Sequence, residues 1–132
     1  MRPERLQAFV LDTLKNTSGI VQARTLAEAG DSKHPFGVAV VTSEGESRWQ
    51  IVGQLADGER HTDKEQPVDG QPASWTDAAA GANAEAWLAA AIGRAESGEI
   101  ARIQRWSVRE GDSREGVTLY FHNGAKAYLR KL

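Results

Sequence analysis

Two tyrosines and two cations alternate near the end of this 132-residue chain: Tyr120 beside Thr118 on one segment, then Lys126, Tyr128 and Arg130 on the next. Spacing by two along a strand puts such residues on one sheet face. A phenol offers an apolar ring with a polar tip, and a cation meets carboxylate or phosphate. Interleaved on a sheet, they serve either to stack nucleic-acid bases while neutralising phosphates or to grip an acidic protein patch, where Tyr and Arg dominate the binding energy. Ordinary cross-strand pairing on a solvated face accounts for the same residues without any partner. Charge is polarised along the chain. Residues 100–132 carry seven basic and three acidic side chains, whereas residues 1–99 carry nine and fifteen, for a total of −2. That acidic total opposes strong non-specific binding to nucleic acid. The expected partner is therefore a protein or a second copy of the chain, met by Thr118, Tyr120, Lys126, Tyr128 and Arg130, with Arg105 and Arg109 at the edge. Nucleic acid on the basic 100–132 segment is the second expectation.

Other chemistry is thinner. Asp57, Glu59, His61 and Asp63 alternate oxygen and nitrogen donors, but a hydrophilic loop produces that pattern by chance and a metal needs rigid supporting contacts. No metal or cofactor is expected. His122, with Arg105, Arg109, Glu110 and Arg114, has the residue types of a small ribonuclease. A histidine at a turn is wet, however, and untuned for proton transfer, so a non-enzymatic reading is preferred. The chain has no cysteine, which excludes a thiolate nucleophile, a disulfide framework and cysteine-ligated zinc. It has no Gly-rich phosphate loop, no Gly-x-Ser-x-Gly and no His-Glu-x-x-His. Leu26 to Gly30 starts like a helix-turn-helix, but no recognition helix follows.

The elements that must position these residues follow from periodicity. Residues 3–16 read as a helix, with Pro3 in the first turn and Leu6, Phe9, Val10, Thr13 and Leu14 on one stripe. Residues 20–29 fit a short helix or an edge strand. From Phe36 to Leu55 the period is two, giving a hairpin with its tip at Glu44-Gly45, Val40 opposite Trp49 and Val38 opposite Ile51. Residues 56–73 form a long exposed loop, a mobile filler or a lid. Ser74 and Asp77 resemble a capping box opening a helix over 74–97. A three-strand meander closes the chain. Its first strand, Ile100 to Glu110, needs a bulge near Gln104-Arg105 to restore one inward face, which leaves Arg102, Arg105 and Arg109 outward or at the edge. Its last turn, His122-Asn123-Gly124, is expected as a three-residue loop with Gly124 left-handed. Only then do Val117, Leu119, Phe121, Ala125, Ala127 and Leu129 share one side. Trp49, Trp87 and Trp106 are expected on core faces, and Trp75 as a staple.

No internal repeat is apparent, so the expectation is a single α+β domain over residues 1–132. It has an antiparallel sheet of about five strands with two helices mainly on one face, in the order helix, hairpin, helix, meander. This order is similar to that of the roadblock and dynein light chain modules and of profilin-like domains, which implies a dimerising adaptor and carries over no site residue. A pocket between helix 74–97 and the sheet, with residues 56–73 as its lid, is a third functional expectation. No segment has the length and apolar character to span a bilayer or serve as a signal peptide, so no membrane partner and a cytoplasmic location are expected. The excess of arginine (11) over lysine (5) is an association seen in GC-rich bacteria.

Overall fold

A computed structural model describes all residues, 1–132. Helix α1, Pro3–Lys15, starts with Pro in its first turn and Glu4 at the positive end of the dipole. Leu6, Val10 and Leu14, each four residues apart, are buried on one face. Burying each contributes about 2 kcal/mol. Strands β1 (Ile20–Thr25), β2 (Gly37–Thr42) and β3 (Gly45–Gln54) follow. The ambiguous 20–29 segment is thus an edge strand for its first six residues, and a turn follows it.

In the β2–β3 hairpin Val38 faces Trp49 and Thr42 faces Gly45. The tip is therefore Ser43-Glu44 and not Glu44-Gly45, and the register differs by two residues from the expected one. A shift of two keeps every side chain on its face, so Val38, Val40, Trp49 and Ile51 are still buried together.

Helix α2 spans only Ala84–Arg94, ten residues later than its expected start. Its cap is Asn83, whose side-chain oxygen accepts the Ala86 N–H at 2.9 Å. The segment 74–83 instead crosses α2 without helical structure. Trp75 lies on Gly93 so closely that a Cβ there would come within 2.2 Å of it, Arg94 stacks on the Trp75 ring at 5.2 Å, and Asp77 pairs with Arg94. Covered by this segment, α2 is buried from Glu85 to Gly93 except at half-buried Trp87.

Strands β4 (Ile100–Arg105), β5 (Gly116–Phe121) and β6 (Lys126–Lys131) complete one six-stranded antiparallel sheet in the order β1-β2-β3-β6-β5-β4. The β5–β6 turn is the expected bulged loop. Gly124 has φ +90°, its N–H donates to the Phe121 carbonyl at 3.0 Å, and Val117 faces Leu129 while Leu119 faces Ala127. The fold is α+β, with one strand more than the expected five. Residues of both helices (Leu6, Val10, Leu14, Leu88, Ala91, Ile92) share one core with Val38, Trp49, Ile51, Leu119 and Leu129. This defines an inner, helix-covered face and an outer one.

The structure also overturns the reading that the chain has no repeat. Each half is a helix followed by three antiparallel strands, and β3 and β6 meet at the centre. Both edge strands begin with Ile and carry a bulge after it, between Ile20 and Gln22 and between Ile100 and Arg102. The residue after each edge strand folds back over a glycine opening the next strand: Leu26 N–H donates to the Gly37 carbonyl at 3.1 Å, and Trp106 N–H to the Gly116 carbonyl at 2.9 Å. A Cβ on either glycine would meet that Leu26 or Trp106 side chain at 2.3 Å. The intervening turns share a short sequence, Gly30-Asp31-Ser32-Lys33 and Gly111-Asp112-Ser113-Arg114, with both glycines at positive φ. In each, the aspartate accepts the N–H two residues on, at 2.7 and 2.9 Å.

Candidate functional site

The outer face is built by the alternate residues of six strands. At its centre are Gln50, Val52 and Gln54 of β3 and Lys126, Tyr128 and Arg130 of β6, paired as Gln50 with Arg130, Val52 with Tyr128 and Gln54 with Lys126. Tyr120 of β5 stands opposite Lys126 on one side and Arg102 on the other. Arg102 and Lys126 flank its ring, at 4.7 and 5.2 Å from the centroid, and its hydroxyl donates to Gln104 Oε1 at 2.9 Å. The Tyr128 hydroxyl donates to Gln54 at 2.5 Å, and Arg130 donates to Gln50 at 2.9 Å. Leu129, between them, is fully buried on the opposite side.

Tyr120, Lys126, Tyr128 and Arg130 thus share one open surface. Its electrostatics are one-sided. Arg24, Arg102, Lys126 and Arg130 form no ion pair with any carboxylate. The one strand carboxylate on this face, Glu46, pairs with Arg48 at 2.8 Å.

Three of the expected contact residues are placed otherwise. Thr118 points outward but is 3% exposed, because Trp106 lies over it and donates its indole N–H to Thr118 Oγ1 at 2.8 Å. Trp106 is therefore buried on the outer face and not among the core residues as expected. Arg109 and Arg114 stand at 5.5 and 5.3 Å from its ring, and Asp112 pairs with both. Arg109 is thereby committed to this lid. Hydrogen bonds from Arg114, and one from Arg109, hold the Asp112 carboxyl well below the usual range.

Arg105 is on the wrong side altogether. The bulge falls at Ala101, not near Gln104-Arg105: Ile100 faces Phe121, whereas Arg102 faces Tyr120. Ile103 and Arg105 consequently turn inward, and the Arg105 Nε donates to Glu85 Oε1 at 2.8 Å. Glu85 is fully buried and also accepts from Ser107 N–H (3.0 Å), Ser107 Oγ (2.6 Å) and Gly116 N–H (2.9 Å). Burial pushes its carboxyl up, but these donors outweigh burial and leave it below the ordinary value. The sequence signal for Glu85 was one acidic residue in the first turn of an alanine-rich helix, which reads equally as a dipole partner.

No protein family, curated protein or solved structure matches the chain. The similarity of element order to roadblock and profilin-like modules has no match behind it, and β1 turns the expected hairpin into a three-strand unit.

The remaining candidates are dispersed. His122 Nε2 lies 2.9 Å from the Gln71 carbonyl, which accepts its proton, and its ring packs on Gly70. It sits past the far end of β5 from Arg109 and Arg114, about 20 Å along the strand, and Arg105 faces the other side. The ribonuclease constellation is not assembled. Loop 56–73 is exposed yet pinned: Glu59 pairs with Arg2 and Glu65 with Arg5, while Gly70 and Ala73 N–H groups donate to Gly98 and Ile100. A cleft of about 510 Å³ opens between α2 and the β2–β3 hairpin, lined by Val40, Trp49, Trp87, Leu88 and residues 78–84. Loop 56–73 contributes nothing to it, so the expected lid is not one.

Proposed function

We propose that this chain is a non-enzymatic interaction module that docks a different protein on the outer face of its sheet. The observation that carries this reading is the open face itself: Tyr120 and Tyr128 stand among three cations, Arg102, Lys126 and Arg130, that no carboxylate of the chain neutralises. Phenols and unpaired cations around an exposed Val52 supply the apolar anchors and the charge complementarity of a protein interface. Base stacking fits less well, because Arg102 and Lys126 already occupy the flanks of the Tyr120 ring. Self-docking fits less well too, since a two-fold interface would set these cations against their own copies. Both sheet edges carry a bulge, which discourages an added strand and leaves the face as the docking element.

The test is position-specific photo-crosslinking in the native host. A photoreactive residue at Val52 should capture one partner, and the same residue at Val68 on the pinned loop should not. Tyr128→Ala with Arg130→Ala should abolish capture with the fold intact. Equal capture from Val52 and Val68, or capture that survives the double substitution, would overturn the reading.

A further inference from the structure

The internal repeat supplies a control for the outer face, because the same backbone positions occur twice. Val38 opposite Trp49 in one half corresponds to Val117 opposite Leu129 in the other. By that register Lys126 corresponds to Glu46, Tyr128 to Arg48, Arg130 to Gln50 and Tyr120 to Val41. On the edge strands, Arg102 corresponds to Gln22. The first half therefore holds these five sites with no net charge and no aromatic ring, and its strands still pair and its core still closes. Neither phenol and none of the three cations of the second half is a requirement of the fold.

Resting on the reading of the outer face as a docking surface, we infer that the partner binds the second half of that face, over β4, β5 and β6, through an extended segment bearing carboxylates. Lys126 and Arg130 lie four residues apart on β6, about 13 Å. That is also the span of four residues in an extended peptide, so acidic side chains at i and i+4 of a segment running along β6 meet both cations. Arg102 lies two strands away, about 10 Å, and receives a carboxylate from beside the segment. Tyr128 presents its ring between Lys126 and Arg130, where the methylene stem of a glutamate side chain covers it, while the Tyr120 ring, flanked by Arg102 and Lys126, holds those two cations in place.

The probe is a fluorescein-labelled decapeptide of alternating glutamate and serine, titrated by anisotropy at low salt. Its counterparts are a lysine-serine decapeptide and a labelled oligo-dT. Saturable binding of the acidic peptide alone is expected. The variant Arg102→Gln, Lys126→Glu, Arg130→Gln installs residues the first half already carries, so it should keep its circular dichroism. It should lose about tenfold or more in affinity, as three weakened charge contacts imply. Lys33→Gln with Lys64→Gln, exposed cations elsewhere, should bind as the parent does. Absence of saturable binding, equal binding by the triple variant, or tighter binding of oligo-dT would overturn the inference. If crosslinking from Val52 then still captures a partner in the triple variant, the docking face stands and only its acidic ligand fails.

Discussion

The Arg105 guanidinium and the Glu85 carboxylate meet 2.8 Å apart beneath the sheet, with Glu85 fully buried and Arg105 about one-third exposed. This pair ties the start of α2 to the end of β4, and the Gly116 N–H bond extends the tie to β5. Removing the acid strands two backbone donors, Ser107 N–H and Gly116 N–H, and leaves the Arg105 guanidinium with only the Asn83 amide oxygen. Glu85→Ala is expected to cost about 3 kcal/mol or more in urea unfolding, as breaking a buried pair does. Glu85→Gln keeps one acceptor and costs less, about 1–2 kcal/mol. The pH dependence has a definite sign. A carboxyl held below its unfolded value of 4.5 stabilises the fold above that pH, and the contribution is lost as pH falls through the lower folded value. The parent should therefore weaken below about pH 4.5 more steeply than Glu85→Gln.

This pair also marks where the sequence was legible and where it was not. The β5–β6 register was readable because only one turn length puts Val117, Leu119, Phe121, Ala127 and Leu129 together, so the outward set of Tyr120, Lys126, Tyr128 and Arg130 followed. The β4 phase was not. In Ile100-Ala101-Arg102-Ile103-Gln104-Arg105-Trp106 a bulge at either end gives a plausible inward row, and the choice is made by tertiary partners: Glu85 takes Arg105, and Gly116 leaves room for Trp106. The helix over 74–97 failed for a like reason. Its alanines favour helix, yet Trp75 gains more by crossing onto Gly93. The repeat was hidden because the two halves share little beyond Gly-Asp-Ser and a basic residue, while the backbone course that relates them is set by bulges and glycines.

Trp106 over Gly116 gives a second prediction. Gly116→Ala places a Cβ 2.3 Å from the indole, at ring atoms that have no flexible end to yield. The ring must lift, its hydrogen bond to Thr118 breaks, and overpacking costs about 1–3 kcal/mol. Thermal unfolding should show the loss, and tryptophan emission should shift to the red as the indole meets water. An unshifted emission would mean that Trp106 does not cover this glycine.

Asp112 controls the same lid electrostatically. Its carboxylate aligns Arg109 and Arg114 against the Trp106 ring, so Asp112→Asn should loosen both cations and give the same red shift in a milder form. Acidification of the parent should do likewise, only well below the ordinary carboxylate range, since the folded-state value is depressed. The stabilisation is present above the unfolded value and lost as pH falls through the folded one. A red shift already complete near pH 4.5 would place Asp112 outside the lid.

Gly93→Ala sets two effects of opposite sign against each other. Glycine in a helix interior is less favourable than alanine by about 0.8–1 kcal/mol, and part of that difference applies to Gly93 in the last turn of α2, so helix propensity alone predicts a more stable protein. At this position the new Cβ would stand 2.2 Å from Trp75 Cβ and 2.7 Å from its Cγ, the base of the side chain and not a movable tip. The 74–83 segment would have to rise off α2, breaking the Arg94 stack on Trp75 and the Arg94–Asp77 pair. Overpacking of this kind costs about 1–3 kcal/mol, so packing wins and Gly93→Ala should lower stability by about 1 kcal/mol. The double-mutant cycle with Trp75→Ala separates the two contributions. Once Trp75 is gone the clash is gone, and Gly93→Ala should then stabilise, which reverses its sign between the two backgrounds. A stabilising Gly93→Ala in the parent would mean that Trp75 does not rest on α2, and the crossing segment would lose its anchor.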